Sequence, residues 1–297
     1  MLRLPQNIFK IGLKAHPIRS LNTNWSLKTN VFQFLRQTRL SSTWSRYNKH
    51  YGRNKIDWDR LKKPALFTAT FCVATTFAAP YLFKIPPFSV FQYNPKLLVY
   101  TIIGLNVAGF LAWKSPVFSR YMTRYGLLVK DNVRSQWSLL GSAFSHQDPF
   151  HLLFNMLMLF SFGTSFSATI GAANFLTLYL NAAVFSSFFS LAVPTLMRTS
   201  LAVASLGASG ALFGVLGAFS YLIPNAAVLL FFIPFPGGAW ALFLFSAALN
   251  AAGIFMKWGR YDYTAHLGGS LAGVYYGWYY SNIIKKRNAR RQVIWRP

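Results

Sequence analysis

Ser209, His266, His151 and Asn155 are the side chains whose types and spacing could do chemistry, and all four stand in apolar surroundings. Ser209 lies in Gly207-Ala208-Ser209-Gly210, and His266 in Ala265-His266-Leu267-Gly268-Gly269. His151 and Asn155 are four residues apart and so share one face of a helix. A serine hydroxyl is a poor nucleophile until a base takes its proton. Histidine can do so near neutral pH and can later return the proton to a leaving amine. The tetrahedral intermediate of such an attack needs hydrogen-bond donors. The Asn155 amide, the His151 ring N–H and the Ser209 backbone N–H could supply them. Asp262 precedes His266 by four residues but falls at or beyond the helix start, so a Ser–His dyad is expected rather than a triad. Each residue also has a plain structural reading: a serine bonded back to its own helix, a histidine bridging two helices, an asparagine as packing glue.

These residues belong to apolar blocks. The 297 residues are 54% apolar and only 12% charged, against about 25% charged in a soluble domain. Seven stretches are apolar enough for spanning helices: about 65–83, 97–113, 150–168, 172–193, 208–224, 239–256 and 264–284. Lys and Arg are absent from their interiors. The expected class is an all-α polytopic membrane protein. Residues 114–149, too polar to span but rich in Tyr, Trp and Leu, are expected to lie partly in the membrane interface.

The spans position the four residues. His151, Asn155, Ser209 and His266 each fall within the first turns of an odd-numbered span. They therefore share one side of the bilayer and a similar depth. Gly210, Gly214 and Gly217 in the fifth span, and Gly269, Gly273 and Gly277 in the seventh, strip one face of each helix of side chains. Such ridges let backbones approach closely. Ser209 stands just ahead of the first ridge and His266 three residues ahead of the second, so close packing would bring hydroxyl to imidazole.

The charge balance reads differently once located. There are 30 Lys plus Arg against 5 Asp plus Glu, a net charge of +25 that would raise the question of nucleic acid. Residues 1–56 carry eleven of the bases and no acid, among many Ser, Thr and Asn. That composition predicts a mitochondrial targeting arm rather than a nucleic-acid surface. Cys72 is alone, which excludes an intrachain disulfide and a multi-cysteine metal site.

The motifs together resemble the rhomboid intramembrane serine proteases. That family places its nucleophile in G-x-S-G, matched by Gly207, Ser209 and Gly210. Its base lies in A-H-x-x-G-x-x-x-G, matched by Ala265, His266, Gly269 and Gly273. Its H-x-x-x-N pair is matched by His151 and Asn155, which by resemblance would serve the oxyanion hole. Two departures are visible. Phe213 stands where the family often has a tyrosine stacked on the catalytic imidazole, and the family's Trp-Arg pair is only Trp137-Ser138.

The resemblance implies a six-helix core at 97–284, preceded by a linker and an extra helix at 57–96 and followed by a basic tail at 285–297. This one-plus-six layout behind a targeting arm resembles the mitochondrial, presenilin-associated rhomboid-like branch. It implies a multi-pass protein of the inner membrane that hydrolyses peptide bonds in single-span or membrane-anchored substrates, a dynamin-related GTPase among them. Its partners would be those substrates and the lipid bilayer, with no nucleic acid. Neither a metal nor another cofactor is required. An imported arm would leave the N-terminus in the matrix and the site on the matrix-facing side, although the basic residues outside residues 1–63 divide evenly between the two sides. The competing expectation is a non-proteolytic rhomboid-fold protein that binds or escorts membrane clients. Members of that kind generally lack the Ser or the His.

Overall fold

A computed structural model describes residues 56–199, 204–230, 233–258 and 261–294. The targeting arm expected at 1–56 lies, apart from Ile56, outside the described residues. The principal helices are α1 (Trp58–Leu82), α2 (Pro95–Ala112), α3 (Pro116–Tyr125), α4 (Pro149–Ile170), α5 (Ala172–Leu196), α6 (Ser209–Leu222), α7 (Gly238–Phe255) and α8 (Tyr263–Ile294). Each of the seven apolar stretches is helical. Five of them (α1, α2, α4, α5 and α7) are long and apolar enough to cross a membrane, which makes the chain a multi-pass membrane protein.

Two boundaries differ from the sequence expectation for identifiable reasons. Helix α1 starts at Trp58 because Asp57 caps it, its carboxylate accepting from the Arg60 N–H at 3.3 Å. Helix α8 runs on to Ile294, through the basic tail. Lys and Arg are good helix formers, and no Gly or Pro interrupts the run between Trp278 and Trp295. Within 114–149, α3 carries exposed Val117, Phe118 and Tyr121 alongside exposed Arg120 and Arg124, a composition suited to the membrane interface. A two-residue ladder, with Leu229 opposite Pro234, closes the turn between α6 and α7.

Helix α5 is the central post, with 67% of its apolar window buried, against 11% in α1. Lipid offers no hydrophobic drive for helices to associate, so close contact and hydrogen bonds must hold them. Both act here. A Cβ on Gly269 would land on the Gly210 carbonyl, one on Gly273 on the Gly214 carbonyl, and one on Gly214 against Ala182 of α5. Helix α6 is therefore wedged between α5 and α8 at backbone distance. The hydrogen bonds centre on Asn181 of α5, which is 1% exposed. Its amide nitrogen donates to the Tyr276 hydroxyl of α8 at 2.6 Å and to Thr76 Oγ1 of α1 at 3.2 Å, and its carbonyl accepts from Thr75 Oγ1. One side chain thus ties α1 and α8 to α5.

Helix α6 has 14 residues and is about 21 Å long, whereas the hydrocarbon core is about 30 Å thick. The shortfall must be made up by loop. Loop must therefore lie within the hydrocarbon thickness at one end of α6 or both, and Ser209 is the first residue of that helix.

Replacing Asn181 with Leu should lower the unfolding free energy in detergent by about 1–2 kcal/mol, from three interhelical hydrogen bonds at about 0.6 kcal/mol each. Thermal or SDS titration of the Asn181→Leu variant checks this, and an unchanged midpoint would show that the node contributes nothing.

Candidate active site

Irregular backbone survives at membrane depth only where its polar groups find partners. The segment leading into α6 meets that demand. Ser205 and Leu128 form an isolated antiparallel bridge, N–H to carbonyl at 2.9 and 3.0 Å in the two directions. The Gly207 N–H donates to the Ser142 carbonyl at 2.8 Å. The Ala208 N–H donates to His146 Nε2 at 3.3 Å. Gly207 has φ +123°, and a Cβ there would lie 2.5 Å from His151 Cε1. Glycine is thus required twice, for the backbone conformation and for the ring beside it.

At the start of α6, Ser209 Oγ lies 2.8 Å from His266 Nε2 on α8. The Phe213 ring, one turn along α6, covers the imidazole with centroids 4.5 Å apart and planes tilted by 32°. The stacking expected of a tyrosine is kept without its hydroxyl. The other ring nitrogen of His266, Nδ1, lies 2.8 Å from Asn250 Oδ1 on α7. The Asn250 amide nitrogen in turn donates to the Ser246 carbonyl at 2.8 Å.

Facing this pair, Asp148 caps α4 by accepting from the His151 N–H at 2.7 Å, with Pro149 pre-set for the first helical position. The Asn155 side chain is buried and its nitrogen donates to the His151 carbonyl at 2.7 Å. An amide nitrogen carries two hydrogens, and that bond uses one. His146 packs edge-to-face on His151, ring centroids 5.0 Å apart. Burial, and then the neighbouring His151, push the His146 imidazole down to about 3, so it is neutral at physiological pH. With Nε2 accepting from Ala208, its proton is on Nδ1.

Asp262 does not contact the His266 ring as a third member would. It caps α8, accepting from the Ala265 N–H at 3.1 Å and the Thr264 hydroxyl at 2.8 Å. Its other oxygen takes Lys130 Nζ at 2.8 Å and the Ser190 hydroxyl. Burial alone would raise this carboxyl. Lys130 and the hydroxyls of Ser190 and Ser205 outweigh it and hold the group below the ordinary carboxylate range. The ion pair ties the 126–137 loop, α5 and the start of α8 together, one turn from His266.

The sequence-expected residues fall as follows. Ser209 and His266 are in hydrogen-bonding contact, His151 stands on α4 against the Gly207 turn with Asn155 one helical turn further on, and the Gly210, Gly214, Gly269 and Gly273 ridges form the α6–α8 seam. Sequence reasoning missed Asn250, His146 and Lys130. Asn250 had a signal, a lone polar residue inside an apolar span. His146 stood within the Ser145–Asn155 cluster without a periodic partner, and Lys130 looked like any solvated loop base.

The family model described as "Rhomboid domain" matches residues 133–283, just over half of the chain. The chain belongs to the rhomboid family. This rhomboid is 55% identical over 216 residues to "Rhomboid protein 1, mitochondrial" of Saccharomyces cerevisiae, covering 72% of this chain and 62% of the yeast protein. It is 34% identical over 202 residues to the human "Presenilin-associated rhomboid-like protein, mitochondrial", covering 65% and 51%. With the Arabidopsis thaliana "RHOMBOID-like protein 12, mitochondrial" it shares 33% over 162 residues, 48% of each. The matched region thus spans half to somewhat under two thirds of these relatives' lengths. In this rhomboid Trp137, lacking an adjacent arginine, meets Phe67 of α1 edge-on at 5.3 Å.

Lys130→Met leaves a buried carboxylate unpaired and should destabilise the fold by about 3–5 kcal/mol, only part of it recovered in Lys130→Met/Asp262→Leu, which also removes the α8 cap. The Asp262 contribution is in place above about pH 4 and is lost as pH falls through its depressed folded value. Unfolding midpoints at pH 7 and pH 3 should therefore differ less in the double variant than in the wild type. Equal pH sensitivity would count against the pair.

Proposed function

We propose that this rhomboid is an intramembrane serine protease of the mitochondrial inner membrane, with Ser209 as nucleophile and His266 as general base. The observation that carries the reading is the 2.8 Å contact between Ser209 Oγ and His266 Nε2 at the start of α6. In acylation Ser209 Oγ bonds to the scissile carbonyl carbon as its proton passes to His266 Nε2. The oxyanion accepts hydrogen bonds from the Ser209 backbone N–H, the His151 ring and the Asn155 amide. His266 then gives the proton to the leaving amine. Water, activated by the same nitrogen, releases the acyl group and restores the serine. No carboxylate, metal or nucleotide takes part.

Substrates are single-span or membrane-anchored proteins of that membrane. A stable helix hides its peptide bonds in internal hydrogen bonds, so small or helix-breaking residues near a span's end would make the backbone available to the serine. A dynamin-related GTPase of the inner membrane is a substrate of this kind. The names of the relatives and the acid-free basic composition of residues 1–56 support the location, with the N-terminus in the matrix. The chain keeps both Ser209 and His266, which disfavours the non-proteolytic client-binding alternative.

Purified protein in detergent or vesicles should cleave a model single-span substrate and should be labelled at Ser209 by a fluorophosphonate. Ser209→Ala and His266→Ala should each reduce cleavage to background. Gly207→Ala should lower the rate at least about 100-fold, the typical cost of losing one oxyanion donor, because its methyl displaces His151. Undiminished cleavage by Ser209→Ala would sink the proposal.

A further inference from the structure

We propose that Asn250 is the third member of the catalytic group, a positioning residue on α7 that fixes the tautomer and plane of His266. The inference rests on the Ser209–His266 reading and deepens it. Asn250 is 5% exposed, and both ends of its amide are engaged. Nδ2 donates to the Ser246 carbonyl at 2.8 Å, and Oδ1 lies 2.8 Å from His266 Nδ1.

The carbonyl of Ser246 decides which way the amide points. Turned over, the amide would set its oxygen against that carbonyl oxygen, two acceptors with no hydrogen between them. With Oδ1 toward the imidazole, only an Nδ1–H can complete the contact. A neutral imidazole carries one N–H, so Nε2 is left with its lone pair directed at Ser209 Oγ, 2.8 Å away. The other tautomer would present an N–H to the serine and could not accept its proton. The chain Ser246 carbonyl, Asn250 amide, His266 ring, Ser209 hydroxyl is therefore a directed relay of hydrogen bonds.

Placement on a separate helix matters. Ser209 is on α6, His266 on α8 and Asn250 on α7, so the relay closes only when all three helices are in place. Gly253, one turn after Asn250, lets α7 press on Tyr263, where a Cβ would come within 2.6 Å of the ring. The Tyr263 ring in turn stands edge-on to His266 at 6.4 Å, while Phe213 covers a face at 4.5 Å. The groups in contact with the imidazole are thus two aromatic rings, a hydroxyl and a neutral amide, and His151 of α4 is a further titratable group close enough to act on it electrostatically. The nearest acid, Asp262, is committed to Lys130 and the α8 cap. An amide orients the ring without placing an unpaired carboxylate beside it, which in a dry site would be costly.

The test compares Asn250→Leu and Asn250→Asp with wild type, Ser209→Ala and His266→Ala on one model single-span substrate, across pH 5 to 9. Asn250→Leu should lose about 100-fold or more in kcat with KM within a factor of two, and should slow fluorophosphonate labelling of Ser209 in proportion. Asn250→Asp keeps the acceptor toward Nδ1 and adds a charge that favours the imidazolium; its second oxygen meets the Ser246 carbonyl at a cost in stability, but the folded protein should retain activity. The acid limb of its pH profile should move up by at least about one unit. If Asn250→Leu does not fold, the Asn250→Asp profile decides alone. An Asn250→Leu kcat within threefold of wild type, or an Asn250→Asp profile superimposable on wild type, overturns the role of Asn250. If Ser209→Ala and His266→Ala are inactive in the same assay, the protease reading stands without it. If they cleave normally, it is the protease reading that fails.

Discussion

The seam between α6 and α8 is the contact on which the rest depends. Gly210 and Gly214 on one helix face Gly269 and Gly273 on the other so closely that a single added methyl would strike main-chain oxygen. Backbones at that distance leave Ser209 and His266 no choice but to meet, since each sits at the head of its ridge. Because lipid gives no solvent pressure to squeeze helices together, the contact energy must come from surface match and from hydrogen bonds. That is why a membrane site of this kind is framed by small residues rather than by large apolar ones.

A second constraint follows from the first. Wedging a 14-residue helix between two longer ones leaves loop inside the protein at the depth of the serine, and loop has orphaned polar groups. The 126–146 region answers most of that need, with Leu128 bridging Ser205, Ser142 taking the Gly207 N–H and His146 taking the Ala208 N–H. Lys130 then anchors the same region to Asp262 at the start of the histidine helix. The loop that seemed too polar for the membrane is the piece that satisfies the nucleophile's approach segment.

How much of this was readable in the sequence depends on the range of each interaction. Ser209, His266 and the glycine ridges were legible because helical periodicity is local and the ridges begin beside the reactive residues. The seven helical stretches were legible for the same reason. Asn250 was not, because its partner lies 16 residues away across a turn and its only local mark is polarity in an apolar span. The Lys130–Asp262 pair joins residues 132 apart, and nothing in a basic loop announces a buried partner. Helix α8 outran its expected end because apolar content marks the membrane, whereas helix propensity, which Lys and Arg possess, marks the helix.

The contacts of α1 bear on how the chain can be dissected. Its Thr75 and Thr76 complete the hydrogen bonds of Asn181, and its Phe67 receives Trp137. Without α1, the buried Asn181 amide would lose its threonine partners, the half-exposed Trp137 would lose its Phe67 contact, and one flank of the central post would be bare. The segment that looks like an appendage in the sequence therefore shares the hydrogen bonding of the central helix.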